Sequence, residues 1–239
     1  MKPAKESTTK KDRIARPIFN ITPFTLLDFP GRIACILWFA GCNMRCVYCY
    51  NPEIVRGKGK LFLDQAMDFI ESRKNLLDGV VLSGGECTLH RDIIPLTQMI
   101  KSKGLDVKID TNGALPERIE EMIDKGLVDY IALDFKSLPK NFEAITGSQL
   151  FDAFEKTLEM LISSDVEYEV RTTLHSGLIS IEDLKQMVDF LSDKGYKGKY
   201  YIQHFINDKP TIGNIGPSGH YSDLVQYSTK DIEIVVRGV

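Results

Sequence analysis

Three cysteines fall within eight residues as Cys42-x3-Cys46-x2-Cys49. Thiolates are soft ligands that select iron–sulfur clusters, zinc or copper(I), so one short loop offering three of them is a candidate metal centre. A closed structural zinc site takes four ligands. No fourth cysteine stands at a matching spacing, so zinc would need a distant histidine (His90, His175, His204 or His220), and no two of these have ligand spacing. Three thiolates on a four-iron cluster would leave one iron open to a small molecule. Disulfide stapling explains five cysteines, three of them this close, poorly. Cys35 lies in an apolar run and reads as a small core hydrophobe. Cys87 directly follows Gly84-Gly85-Glu86 and would neighbour a cofactor held there.

Further polar groups stand at the ends of apolar runs: Ser83-Gly84-Gly85-Glu86, Asp110-Thr111-Asn112-Gly113, Asp134 with Lys136, Arg171, and Gln203-His204. Taken alone, Glu86 would be a surface carboxylate, Asp110 a helix cap, and Lys136 and Arg171 solvated charges. Their recurrence after apolar runs, beside a three-cysteine loop, favours one shared site. Arg56-Gly57-Lys58-Gly59-Lys60 reads as a flexible hairpin with solvated lysines.

These groups need elements to carry them. Short apolar runs at 33–39, 79–82, 106–109, 130–133, 168–173 and 200–203 predict six buried strands. Between them, apolar residues recur with helical period, as in Leu63, Ala66, Met67 and Ile70 or Ile181, Leu184, Val188 and Leu191. Gly104, Gly126 and Gly195, each preceded by Lys, predict left-handed helix stops. Strand then helix, repeated, means a parallel α/β sheet whose site lies at the carboxyl ends of the strands. Six units are too few for a closed eight-stranded barrel, which leaves an open partial barrel or a doubly wound sheet.

The 239 residues carry a net charge of −3, divided as +4 on residues 1–16 and −7 on the rest. An acidic body repels phosphate backbones, which argues against nucleic acid as a partner. The tail lacks the apolar face of a membrane anchor and reads as a flexible, solvated terminus. No run has the length of a membrane span and no signal-peptide pattern opens the chain, so the expected location is cytoplasmic.

Gly41-Cys42-x3-Cys46-x-Tyr48-Cys49 resembles the signature of the radical S-adenosylmethionine (SAM) superfamily, with Gly84-Gly85-Glu86 where that superfamily has its methionine-binding motif. Residues 26–31 (LLDFPG), Asn51-Pro52-Glu53 and Asp110-Thr111-Asn112-Gly113 look like the anaerobic ribonucleoside-triphosphate reductase activating proteins, a branch of the glycyl-radical-enzyme activases. The resemblance implies a partial, open (βα)6 TIM-like barrel of parallel strands over residues 17–206, with residues 207–239 as an extension of unknown role. It implies a [4Fe-4S] cluster on Cys42, Cys46 and Cys49, and SAM contacts from Tyr48, Ser83, Gly84, Gly85, Glu86, Asp110, Thr111, Asp134, Lys136 and Arg171. Glu86 and the Gly84-Gly85 backbone would meet the methionine ammonium. Asp110, Thr111, Asp134 and the Ala132 carbonyl would surround a monovalent cation, and Lys136 or Arg171 would neutralise the SAM carboxylate. Cys87, Gln203 and His204 are neighbours of that site. The implied activity is reductive cleavage of SAM to a 5′-deoxyadenosyl radical that installs a glycyl radical on a partner, anaerobic ribonucleotide reductase, with a flavodoxin or ferredoxin-type electron donor. The alternatives are a radical SAM enzyme acting on a metabolite or nucleotide, and a non-enzymatic iron–sulfur regulatory protein. Two departures from the activase pattern stand out: Tyr50 where many activases have His, and Cys87 where Pro or a small residue is common.

Overall fold

The computed structural model describes residues 16–237, so the basic tail lies outside the described residues except for Arg16. Eight strands form one sheet in chain order: β1 (Ile18–Thr25), β2 (Ala34–Phe39), β3 (Gly79–Gly84), β4 (Asp106–Thr111), β5 (Tyr130–Asp134), β6 (Glu167–Leu174), β7 (Gly198–His204) and β8 (Ile232–Arg237). From β2 to β8 every pairing is parallel. Helices α1 (Pro52–Arg56), α2 (Leu63–Arg73), α3 (Ile93–Lys101), α4 (Pro116–Asp124), α5 (Pro139–Thr146), α6 (Phe151–Ile162) and α7 (Ile181–Asp193) lie between the strands. A strand order that never reverses has no topological switch point, which rejects the doubly wound alternative. The order ends at β1 and β8, so the sheet is an open partial barrel.

All six expected strands are present as β2 to β7, and Gly104, Gly126 and Gly195 take φ of 76°, 62° and 83° as helix stops. Two more strands flank these six. β1 pairs with β2 antiparallel, since the short connection between them permits a hairpin but no crossover. β8 lies in the extension and pairs with β7 from Gly198↔Ile232 to Gln203↔Arg237, so this strand completes the sheet of the core.

Helices cover the outer face. Ile70, Ile100, Met122, Phe154, Leu158 and Leu184 are buried there with the outward residues Cys35, Leu37, Val80 and Leu82. Because both faces of the parallel strands are covered, β2 and β3 read as almost unbroken apolar runs. The inner face divides. Beside β2 and β3 it is apolar, with Phe29, Ala34, Ile36 and Val81 packed against Trp38 and Tyr130. Beside β6 and β8 it is charged: Arg237 donates to both oxygens of the buried Glu169 at 2.8 and 2.6 Å, and Tyr130 donates to the same carboxylate at 3.0 Å. No helix among the described residues is long and apolar enough to cross a membrane.

Candidate functional site

Strand ends β2 to β7 point one way, and the loops leaving them surround a cavity of about 250 Å3. Cys42, Cys46 and Cys49 line it with Met44 and Tyr48; Ser83, Gly84 and Gly85 enter from β3, Asp110 and Asn112 from β4, Asp134 and Lys136 from β5, Arg171 and Thr173 from β6, and Gln203 from β7. Among the described residues no three metal-ligating side chains converge on a point where one ion could touch them all. The three cysteines line this one cavity, and their thiolates are soft ligands of the kind an iron–sulfur cluster takes. Burial pushes the Cys42 thiol up to about 11 and also raises Cys46, whose shift the nearby Lys136 opposes.

The cysteine loop is held on every side. Arg45 and Val47 donate backbone N–H groups to Thr146 and Ile145 at the end of α5, at 2.7 and 2.9 Å. Gly85 N–H donates to Phe39 and Glu86 N–H to Gly41, both at 2.9 Å. Gly85 is obligatory there, because a Cβ would stand 1.8 Å from the Gly41 carbonyl oxygen. An ammonium only donates, so the Gly84-Gly85 backbone can serve one through its carbonyl oxygens alone.

Across the cavity runs a ladder of charges. Lys108 pairs with Asp110, Arg171 lies 3.4 Å from Asp110 and 2.5 Å from Asp134, and Lys136 lies 2.9 Å from Asp134. Burial alone would raise both carboxyls; Arg171 with Lys108 draws Asp110 below its usual range, and Arg171 with Lys136 does the same to Asp134. The same pairing overcomes desolvation and raises Lys136 and Arg171, so both are cations at neutral pH. Ser83 donates to Asp110 at 2.9 Å.

Several expected site residues stand elsewhere. Glu86 does not reach the cavity: it is 1% exposed, and its carboxylate accepts from Thr88 N–H and Oγ1, Thr111 Oγ1 and Asn112 N–H at 3.2, 2.6, 2.9 and 2.7 Å. In this structure the Glu86 carboxylate is thus a buried clamp between two loops. Thr111 faces that clamp, opposite in strand parity to Asp110. Of the expected cation ligands, Asp110 and Asp134 already hold side-chain cations and Thr111 donates to Glu86. Cys87 is fully buried behind the wall, donates to the Asp110 carbonyl at 3.6 Å, and its thiol is raised well above its ordinary value by burial. His204 turns away from the cavity and packs on His220, with ring centroids 4.1 Å apart. His90 bonds to the Ala40 carbonyl and His175 to the Gly216 carbonyl, so none of the four histidines lines the cavity. Trp38, Met44, Val55 and Thr173 line it without having been singled out, and Asn112, named only as part of the run that ends β4, lines it too.

Residues 36–191 match the Radical SAM superfamily, and the chain belongs to that superfamily, whose members use a [4Fe-4S] cluster and SAM. It is a radical SAM enzyme. Among its relatives, a Methanocaldococcus jannaschii protein named provisionally as a glycyl-radical enzyme activating enzyme is 31% identical over 198 residues, 79% of each chain. The pyruvate formate-lyase-activating enzyme of Clostridium pasteurianum is 32% identical over 182 residues, 72% of this chain and 75% of that one. Among solved structures, Streptococcus suis SuiB bound to S-adenosylmethionine superposes with a TM-score of 0.64 at 15% identity over 83% of this chain, which is likeness of fold. The chain spans 48% of the length of that SuiB chain.

The cavity suits those cofactors. Three soft thiols face a wall with two cations, and the Tyr48 hydroxyl, buried at the cavity, has no hydrogen-bond partner among the described residues. A buried hydroxyl without a partner is costly and is explained by a ligand that supplies one.

Proposed function

We propose that this chain is a glycyl-radical-enzyme activase, that its partner is anaerobic ribonucleotide reductase, and that Cys42, Cys46 and Cys49 hold the cluster. When bound there, a [4Fe-4S] cluster with SAM would supply 5′-deoxyadenosyl radical chemistry, given an electron from a flavodoxin or ferredoxin-type donor. The rest is the work of this chain's residues. The Gly84 and Gly85 carbonyls accept the ammonium of SAM, Lys136 or Arg171 neutralises its carboxylate, and the Tyr48 hydroxyl gains its missing partner. Trp38, Met44 and Val55 supply apolar wall that displaces water from the reacting centre.

The observation that carries the reading is the pairing of a three-thiol cavity with an open sheet, in a chain about as similar to one activase as to another activase-like relative. A barrel left open gives a partner's loop a way to bring its glycine within van der Waals reach of the radical. The experiment is anaerobic mixing of reduced, iron-reconstituted protein with SAM and the reductase of the same organism, read by paramagnetic resonance. A glycyl doublet is expected, absent with a Cys46→Ala activase or with the partner's radical glycine changed to Ala. Catalytic 5′-deoxyadenosine with a metabolite and no protein radical would overturn the activase reading and favour a small-molecule substrate.

A further inference from the structure

Asn112 spends each of its polar groups on a different neighbour. Its backbone N–H donates to Glu86 Oε2 at 2.7 Å, and its Oδ1 accepts from Ala114 N–H at 3.0 Å. That acceptor contact fixes which way the amide faces, so Nδ2 points at the cysteine loop. There it donates to Asn43 Oδ1 at 2.8 Å and lies 3.8 Å from the Cys42 sulfur. The side chain is 5% exposed and anchored at both ends, so it cannot swing away. Met44 N–H is a second donor to the same sulfur at 3.4 Å, while among the described residues no hydrogen bond reaches the sulfur of Cys46 or Cys49. Cys42 therefore differs from its two companions.

We propose that Asn112 is a positioning residue for the cluster: it ties the cysteine loop to the end of β4, and its amide N–H on the Cys42 sulfur sets the cluster's reduction potential. The proposal rests on Cys42 being a cluster ligand. An N–H donor on a ligating thiolate draws negative charge from the sulfur and so favours the reduced cluster, which carries one more electron. Removing the donor makes the cluster harder to reduce. Electron entry precedes SAM cleavage, so the loss falls on the step at which the reductant is limiting.

The test is a redox titration of reconstituted protein followed by paramagnetic resonance, with Asn112→Ala, Asn112→Asp and Asn112→Ser. Asn112→Asp loses the donor and adds negative charge. Asn112→Ser isolates the electronic part, since its hydroxyl can still accept from Ala114 N–H but is too short to reach the sulfur. At wild-type iron content, the midpoint should move to more negative values in all three, furthest for Asn112→Asp. The yield of 5′-deoxyadenosine should fall several-fold with a weak reductant and recover with a strong one, a rescue that mere damage to the loop would not show. A midpoint equal to wild type in an iron-loaded Asn112→Ala or Asn112→Ser variant overturns the proposal. Wild-type protein labelled with 15N-asparagine should also show, by electron–nuclear double resonance, a nitrogen coupling to the reduced cluster that an iron-loaded Asn112→Ala variant loses, since Asn43 beside Cys42 keeps its label; no such lost coupling likewise overturns the proposal. If the wild-type protein takes up no cluster on its cysteines, the radical SAM site itself is misassigned; a loaded, SAM-cleaving wild type whose midpoint the iron-loaded variants share defeats this inference alone.

Discussion

Besides its backbone bonds to the end of α5, the cysteine loop is held by two grips of unlike kind. On the inner side the grip is made of buried side chains at strand ends, with Glu86 gathering four donors and Asn112 passing the constraint on to Asn43 and Cys42. On the outer side it is made of backbone from residues 206–221, a strap of mostly half-buried or exposed residues. There Ile212 N–H donates to Cys49 and Gly213 N–H to Val47, at 3.1 and 2.8 Å, while Ile206 N–H is taken by the Tyr50 hydroxyl. The strap's own anchors are His175 with Gly216, Ser176 with Ser218 and Gly219, and Asn207 with Ser218. A buried network fails as a unit when one member is lost, whereas water can replace the partners of an exposed strap one at a time. The inner grip therefore sets the position of the loop, and the outer one limits its excursions.

Glu86→Ala strikes the inner grip hardest. It leaves four buried donors on Thr88, Thr111 and Asn112 without their acceptor, a loss of about 3 kcal/mol or more in the stability of the metal-free protein. Thermal or urea unfolding measures it. Unfolding indistinguishable from wild type, with only SAM affinity changed, would return Glu86 to the cofactor and dissolve the contrast.

Gly213→Val strikes the outer grip. A Cβ at this position would lie 2.7 Å from the Val47 Cβ and 2.8 Å from the Val47 carbonyl oxygen, so the strap must lift. The expected cost is about 1–3 kcal/mol, below that of Glu86→Ala. Hydrogen exchange should quicken at residues 47–49 and 206–216 while the Asn112 amide keeps its protection. Equal loss of protection at Asn112 would make the two grips one cooperative unit.

The smallest effect is one of pH. Burial, with His220 beside it, lowers the His204 pKa from the ordinary histidine value. A histidine depressed on folding adds stability that is fully present above its unfolded value of about 6.5 and is lost as pH falls through the window below it. Asp223 lines the same surface hollow. The unfolding midpoint of the metal-free protein should decline slightly more between pH 7.5 and 5.5 in wild type than in His204→Phe. A decline of the same size in both would place the acid sensitivity elsewhere.

The strands β2 to β7, the helices on their outer face and the glycine stops were legible because each is written in local periodicity or in a residue of special backbone freedom. So was the candidate ligand loop, whose three thiols lie within eight residues. Tyr50, which looked like a departure from the activase pattern, has a reason that sequence does not carry: it stacks on Phe205 at 5.2 Å and its hydroxyl anchors the strap at Ile206, more than 150 residues away along the chain.

What the sequence determined by itself is therefore the soft-ligand loop, the parallel α/β architecture and the end of the sheet at which the chemistry sits. Only the tertiary structure decided which side chains at that end face the cavity. In β4, Lys108 and Asp110 point inward and Thr111 points away to Glu86, yet both faces of the strand are covered, so no polar–apolar alternation marks the inner one. The tertiary structure also buried Glu86 as a clamp between two loops and brought residues 206–221 against the cysteines. Contacts between segments so far apart depend on how the whole sheet curls, and local residue pattern carries no record of that curl.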